Sequence, residues 1–205
     1  MFLFNPSFSF AALGPNLIAN PSFETGTTLP ASWEFVLDGT GNKATAVYPV
    51  AGIDGPRAAR INMTVYKGTG DIFWMPLFSN VTAAKQYQFS VYTRSNASTV
   101  IIATYRKSNG SLSYQILATL PKNEVWTQFT RTITIPTGVT QIKVQALIKG
   151  VGYQEVDGFT LQEITATPPP PSPSCTLSLN PTSILQGATS TLTYISANTT
   201  SGSIN

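Results

Sequence analysis

Acid–base chemistry in this chain rests on very few groups. There is no histidine and a single cysteine, so neither a Ser-His-Asp nor a Cys-His arrangement can be built from it, and zinc sites made of His and Cys are excluded as well. What remains is nine carboxylates: Glu24, Glu34, Asp38, Asp54, Asp71, Glu124, Glu155, Asp157 and Glu163. Two of them stand out by spacing. Glu155 and Asp157 in "YQEVDG" are i and i+2 of a strand-like run, so they point the same way at about 6–7 Å, inside the range of paired glycosidase carboxylates. Against that reading, no apolar pocket that would tune one of them as an acid is evident around the pair. Glu24 is the third, placed directly after Phe23 in "NLIANPSFETG".

The elements that must carry these groups read as strands. "AARINMTV" (58–65) alternates Ala59, Ile61, Met63 and Val65 with Arg60, Asn62 and Thr64. "QYQFSVYTR" (86–94) alternates Tyr87, Phe89 and Val91 with Gln88, Ser90, Tyr92 and Arg94. "TVIIATYR" (99–106), "WTQFTRTITI" (126–135) and "QIKVQALI" (141–148) follow the same period of two, which marks half-buried strands of antiparallel sheets. Between them stand turn-rich separators such as "DGTGN", "KGTGD" and "KSNGS"; the last predicts a hairpin, because Asn-Gly tolerates positive φ. No stretch has a helical period. The expected fold is all-β, a jelly-roll β-sandwich.

Composition agrees. Charged residues make up 10% of the chain, against roughly 25% in an average soluble protein, and Thr, Ser and Asn take their place. The net charge of +3 arises from scarce acids rather than abundant bases. The bases are scattered, with no run longer than Arg106-Lys107, so a nucleic-acid surface is not expected. Nothing approaches the roughly 18 apolar residues of a membrane span.

Four segments follow. Residues 1–12, apolar and ending in small residues, read as a signal-peptide remnant or a disordered leader. Residues 13–164 form the sandwich module. Residues 165–174, "TATPPPPSPS", form a proline-rich linker in extended polyproline geometry. Residues 175–205 hold two more strand patterns, too little to bury a sheet face alone, so further domains are expected downstream of Asn205.

Six motifs in order, "NLIANPSFETG", "LPASW" (29–33), "GPRAARI" (55–61), "YQFSVY" (87–92), "WTQFTRTITIP" (126–136) and "VGYQEVDGFTLQ" (151–162), resemble carbohydrate-binding modules of the cellulase-C/xylanase type, families four, nine and twenty-two, with a galactose-binding-like jelly roll. The resemblance implies a non-catalytic, secreted or cell-surface module that targets an attached enzyme or surface protein to a polysaccharide. It also implies a structural calcium held by Glu24, backbone carbonyls and Asp157, although Gly158 stands where relatives often carry a second acid. Residues 175–205 resemble the start of a bacterial immunoglobulin-like repeat, in which Cys175 lacks its usual partner.

Sugar recognition needs aromatic faces for pyranose C–H patches and amide, guanidinium or carboxylate groups for hydroxyls. The alternation places Arg60, Asn62, Gln88, Tyr92, Arg94 and Gln145 on the face away from the core, where Tyr92 and Arg94 serve either a ligand or ordinary cross-strand pairs. Trp74 in "DIFWMP" is either a platform at the rim of that face or a core residue beside Met75 and Leu77. Trp33 and Trp126 are expected in the core or at the end of the sandwich. The expected partner is a poly- or oligosaccharide bound by a monomer. The rivals are an adhesive sandwich of a cell-surface or phage-tail protein with no sugar site, and a small glycan-active enzyme using Glu155 and Asp157.

Overall fold

The computed structural model describes residues 11–166 and 174–198. Most of the expected leader (residues 1–10) and of the expected linker (residues 167–173) lies outside the described residues. One compact unit runs from Ala12 to Thr165. Its strands are β1 (Ala11–Leu13), β2 (Trp33–Leu37), β3 (Lys43–Ala51), β4 (Arg57–Val65), β5 (Ile72–Pro76), β6 (Ser79–Asn80), β7 (Gln86–Ser95), β8 (Ser98–Lys107), β9 (Leu112–Leu120), β10 (Asn123–Thr134), β11 (Val139–Lys149) and β12 (Gly152–Ala166). There is no helix among the described residues, and hence none able to cross a membrane.

The strands form two antiparallel sheets. The first has the order β10-β7-β12-β4-β3, with β1 also pairing with β12; the second has the order β2-β5-β11-β8-β9, with β6 also pairing with β11. Stacked, they make the jelly-roll sandwich that the period of two predicts. The "KSNGS" hairpin joins β8 to β9 as expected: Gly110 takes a φ of 83° and its N–H donates to the Lys107 carbonyl at 2.9 Å.

The core fills from both inner faces. Ile61 and Met63 of β4, Phe89 and Val91 of β7, and Val156, Phe159 and Leu161 of β12 meet Ile101 and Ala103 of β8 and Ile142, Val144 and Ile148 of β11. Each large side chain contributes about 1.5–3 kcal/mol by leaving water. An aromatic cluster closes one end: Phe23 lies 4.6 Å from Trp33 and 5.9 Å from Phe159, centroid to centroid. The indole of Trp33 donates to the Asn20 carbonyl at 3.0 Å, so this Trp is a core residue, as expected.

Trp74 is not a rim platform. It is 1% exposed and packs 5.7 Å from Phe35. The pairing of Phe73 with Leu147 turns Phe73 outward and sends Trp74 into the core. In "DIFWMP" the one polar residue, Asp71, shares the parity of Phe73, a local signal that four consecutive apolar residues, Ile72 to Met75, mask.

Residues of the second unit are described separately: β13 (Ser174–Asn180) and β14 (Thr191–Ala197) form an antiparallel pair in which Cys175 is exposed and free.

Candidate functional site

The two outer faces of the sandwich carry different chemistry. On the second sheet, strands β2, β5, β11, β8 and β9 lie side by side, and the residues of opposite parity to the core line a groove of about 270 Å³. Its walls and floor are Val36, Phe73, Lys143, Gln145, Thr104, Leu112 and Tyr114, with Asp38 and Asp71 also lining it. Thr104 donates its hydroxyl to Gln145 Oε1 at 2.9 Å, which fixes a neutral polar floor. Tyr114 stands 69% exposed beside it.

Loops around 38–42 and 67–71 shape the acidic part of the groove. Asn42 pins them by donating to the carbonyls of Asp38 (2.8 Å) and Thr69 (2.7 Å) while accepting from the Lys67 amide (2.8 Å). Lys149 holds Asp71 by an ion pair of 2.5 Å. On β11, Lys143 lies 4.8 Å from the ring of Phe78, over which Arg106 also stacks at 3.8 Å. Burial, and then the Arg106 charge, hold the Lys143 ammonium below its usual pKa, against an opposing pull from Glu34.

On the first sheet the outer face is a charged ladder. Glu155, with its side chain 2% exposed, sits on β12 between Arg60 of β4 and Arg94 of β7. Arg60 Nη1 lies 3.2 Å from Glu155 Oε1, and Arg94 Nε pairs with Glu155 Oε2. Each guanidinium lies over an aromatic ring: Arg60 is 4.2 Å from the Tyr153 centroid and Arg94 is 4.9 Å from that of Trp126. Arg60 also donates to Asn62 Oδ1 at 2.7 Å, and the Tyr153 hydroxyl to Glu124 at 3.1 Å. Trp126 is therefore an outward residue, not a core or end-packing one.

Arg60, Asn62, Gln88, Tyr92 and Arg94 all stand on this first sheet, on the parity facing away from the core. Gln145 does not join them. Its strand, β11, belongs to the second sheet, so its side chain leaves the sandwich on the opposite side. Alternation says which side chains avoid the core; it does not say which sheet a strand joins. Sequence reasoning missed Phe73, Thr104 and Lys143 in the groove for the same reason, and held Tyr114 only as a weaker candidate than Tyr92. It also missed Tyr153 and Trp126 on the ladder, where the signal was parity along their own strands, Tyr153 with Glu155 and Trp126 with Gln128 and Thr130.

Glu24 and Asp157 converge on the loop between β3 and β4. Glu24 Oε1 accepts the Arg57 amide at 3.0 Å, and Asp157 Oδ2 accepts those of Ile53 and Asp54, both at 2.8 Å. Asp157 Oδ1 takes the Gly158 amide at 2.7 Å. Asp157 is fully buried, which raises its pKa, while the three amides pull it back down. Gly158 sits in a bulge of β12 at φ 56°, where a Cβ would stand 2.9 Å from the Tyr92 ring; that crowding explains a glycine in place of a second acid.

A family model for a carbohydrate binding domain, CBM_4_9, matches residues 15–149. The chain belongs to this carbohydrate-binding family. No curated protein sequence matches it. Among solved structures, the chain is similar to the enzymatically active domain of tailspike protein 4 from bacteriophage CBA120 (TM-score 0.59, 12% identity, 73% of this chain and 21% of that one). It is also similar to the CBM22-1 xylan-binding domain of Paenibacillus barcinonensis Xyn10C (TM-score 0.52, 17% identity, 75% and 97%). A third is the Stig cyclase Fisc from Fischerella sp. TAU (TM-score 0.54, 13% identity, 75% and 98%). The carbohydrate-binding domain therefore spans only about a fifth of the tailspike chain it resembles. At these identities the likenesses establish the fold, and the family match establishes a glycan-binding module.

Proposed function

We propose that this module binds a glycan chain in the groove of the second sheet and does so without turnover. The observation that carries the reading is the pairing of aromatic walls, Phe73 and Tyr114, with a floor whose hydrogen-bonding groups are fixed but neutral, Thr104 and Gln145. Pyranose C–H patches stack on the rings, and hydroxyls meet the amide, Lys143 and the acids at 38 and 71. Such open, wet sites bind at micromolar to millimolar levels, about −8 to −4 kcal/mol.

Catalysis by Glu155 and Asp157 has no support in their surroundings. Glu155 has both oxygens committed to arginines, and Asp157 is buried with three amide donors. Neither is free to pass a proton to a substrate. Titration calorimetry with xylohexaose and cellohexaose tests the site. Phe73→Ala with Tyr114→Ala should weaken binding at least about tenfold, roughly 1.4 kcal/mol; unchanged affinity would place the glycan elsewhere. The module is read as secreted or on the cell surface, where it raises the local concentration of linked domains at a polysaccharide.

A structural calcium would be held by Glu24 and Asp157. Two close approaches on the loop they share support it. A Cβ on Gly52 would stand 2.7 Å from Asp157 Oδ2 and 2.4 Å from the Arg57 carbonyl oxygen, and one on Gly55 would stand 2.3 Å from Glu24 Oε1. Glycine thus lets the loop backbone come close to each carboxylate, and carboxylate and carbonyl oxygens are the hard donors that suit this ion. Among the described residues no group of three or more acids forms, so carbonyls and water would complete the shell. Calcium there supplies charge neutralisation for a tie between the first loop and the last strand. Chelation should lower the melting temperature while the amide contacts keep the fold; an unchanged melt would remove the ion from this account.

A further inference from the structure

We propose that the ladder on the first sheet is a second glycan-binding surface, separate from the groove and specific for neutral sugars. It rests on the module's carbohydrate chemistry but not on the groove assignment.

The ladder is an unusual thing to find on an outer sheet face. Its central carboxylate is almost wholly removed from water, while the two guanidiniums beside it remain about a third exposed, at 33% and 32%. Burying a charge in this way gains little stability, because an apolar residue of similar volume usually serves as well or better. The cluster has a different consequence: it immobilises two forks of donors. Arg94 spends only its Nε–H on Glu155, which leaves both terminal nitrogens with no protein partner among the described residues. A guanidinium fixed in place, with two such nitrogens side by side, matches a pair of neighbouring hydroxyls on a sugar ring and loses little rotamer freedom on binding.

The flanking groups complete such a surface. Trp126 and Tyr153 supply rings, and Asn62 and Tyr92 supply an amide and a phenol on neighbouring positions. Strands β4, β12, β7 and β10 are adjacent, so the row from Asn62 to Trp126 covers about 14 Å across three strand spacings. That is the reach of a short oligosaccharide. Charge identifies the class. Arg60 and Arg94 are balanced by Glu155 and by Glu124, which accepts from Tyr153. The face carries no excess positive charge to draw a polyanion. A neutral glycan fits it; a sulfated or uronic-acid polymer does not.

Affinity electrophoresis of the full chain through gels containing xylan, hydroxyethylcellulose, galactan or polygalacturonate tests this with two variants. Trp126→Ala/Tyr153→Ala removes the ladder rings, and Phe73→Ala/Tyr114→Ala removes the groove walls. Each should cut retardation by a neutral polymer by about tenfold in apparent Kd, and the combined variant should migrate freely. Arg94→Lys keeps the charge beside Glu155 but removes the fork; it should melt like the parent chain and still lose retardation. The proposal is overturned if the ladder variant and Arg94→Lys are retarded as strongly as the parent chain. It is equally overturned if polygalacturonate is the only gel that holds the chain, or if these variants instead abolish a concentration-dependent dimer. Should the ladder variants lose retardation while the groove variant keeps all of it, the ladder stands and the groove reading falls.

Discussion

The two outer faces of this sandwich obey one rule of alternation and dispose of their polar groups in opposite ways. On the groove face, Thr104 and Gln145 satisfy each other without charge, and Lys143 lies beside an aromatic ring with Arg106 near it. On the ladder face, charge meets charge: one buried carboxylate serves two arginines, and each arginine is backed by a ring. The groove is shaped by loops pinned through Asn42, whereas the ladder is set by strand register alone, since Glu155 lies opposite Arg60 on one side and Arg94 on the other. A surface made by register is rigid and salt-linked; a surface made by loops is concave and chemically milder.

The largest break in that comparison comes from Glu155→Ala. Two guanidiniums then face each other across β12 with no carboxylate between them. Loss of one member of a buried pair costs about 3–5 kcal/mol, and the partial exposure of both arginines brings the expected cost to about 2–3 kcal/mol through solvent screening. Urea unfolding measures it. The folded fraction should bind xylohexaose in the groove as before, because no groove residue touches Glu155. A loss below about 0.5 kcal/mol would mean that the ladder is an ordinary surface ion pair.

How far each face was legible in the sequence follows the same division. Parity placed Arg60, Asn62, Gln88, Tyr92 and Arg94 on an outer face, because β4 and β7 alternate cleanly. The floor of the groove was half read: Gln145 was outward, yet nothing in "QIKVQALI" says that β11 pairs with β5 and β8 rather than with β12. Strand order is a long-range fact decided by how the whole chain closes on its core. "DIFWMP" was hard to read for a local reason, since four consecutive large apolar residues leave only Asp71 to mark a parity, and the choice between Phe73 and Trp74 falls to the Leu147 pairing. Glu155 and Asp157 were correctly set on one strand, but apart from the adjacent Gly158 amide their partners, two arginines for one and the Ile53 and Asp54 amides for the other, come from strands and a loop about sixty to a hundred residues away.

A smaller effect sharpens the groove side. Gln145→Leu removes the acceptor of the Thr104 hydroxyl and leaves that hydroxyl without its partner on a floor where Gln145 itself is only 4% exposed. Stability should fall by about 1 kcal/mol. Affinity for a neutral hexasaccharide should fall with it, since the site loses an amide aimed at sugar hydroxyls and gains nothing polar in return. Thr104→Val in the same background should add little further, because both members of the pair are then apolar. Full additivity of the two changes, in unfolding and in calorimetry, would show that they do not act as a unit.

The smallest effect separates the faces by pH. Lys143 has its pKa held below the usual 10.5 by burial first and by Arg106 second, with Glu34 acting in the opposite sense. For a base whose pKa is lower folded than unfolded, the unfolded chain binds more protons across the interval between the two values. Stability contributed by this group therefore rises as pH climbs through that interval and is level on either side. Unfolding free energies of the parent chain and Lys143→Met, followed from about pH 7 to about pH 10.5, should converge or cross as the parent gains and the variant does not. The ladder shows the opposite trend, since burial first, and then the hydrogen bond to Glu124, hold the Tyr153 phenol above its usual pKa, so the stability this group contributes falls as pH climbs past its unfolded value of about 10. Parallel curves for the two proteins would mean that Lys143 is as well solvated on the groove floor as it is in the unfolded chain, and the groove would then be wetter at Phe78 than the packing of Lys143 against that ring implies.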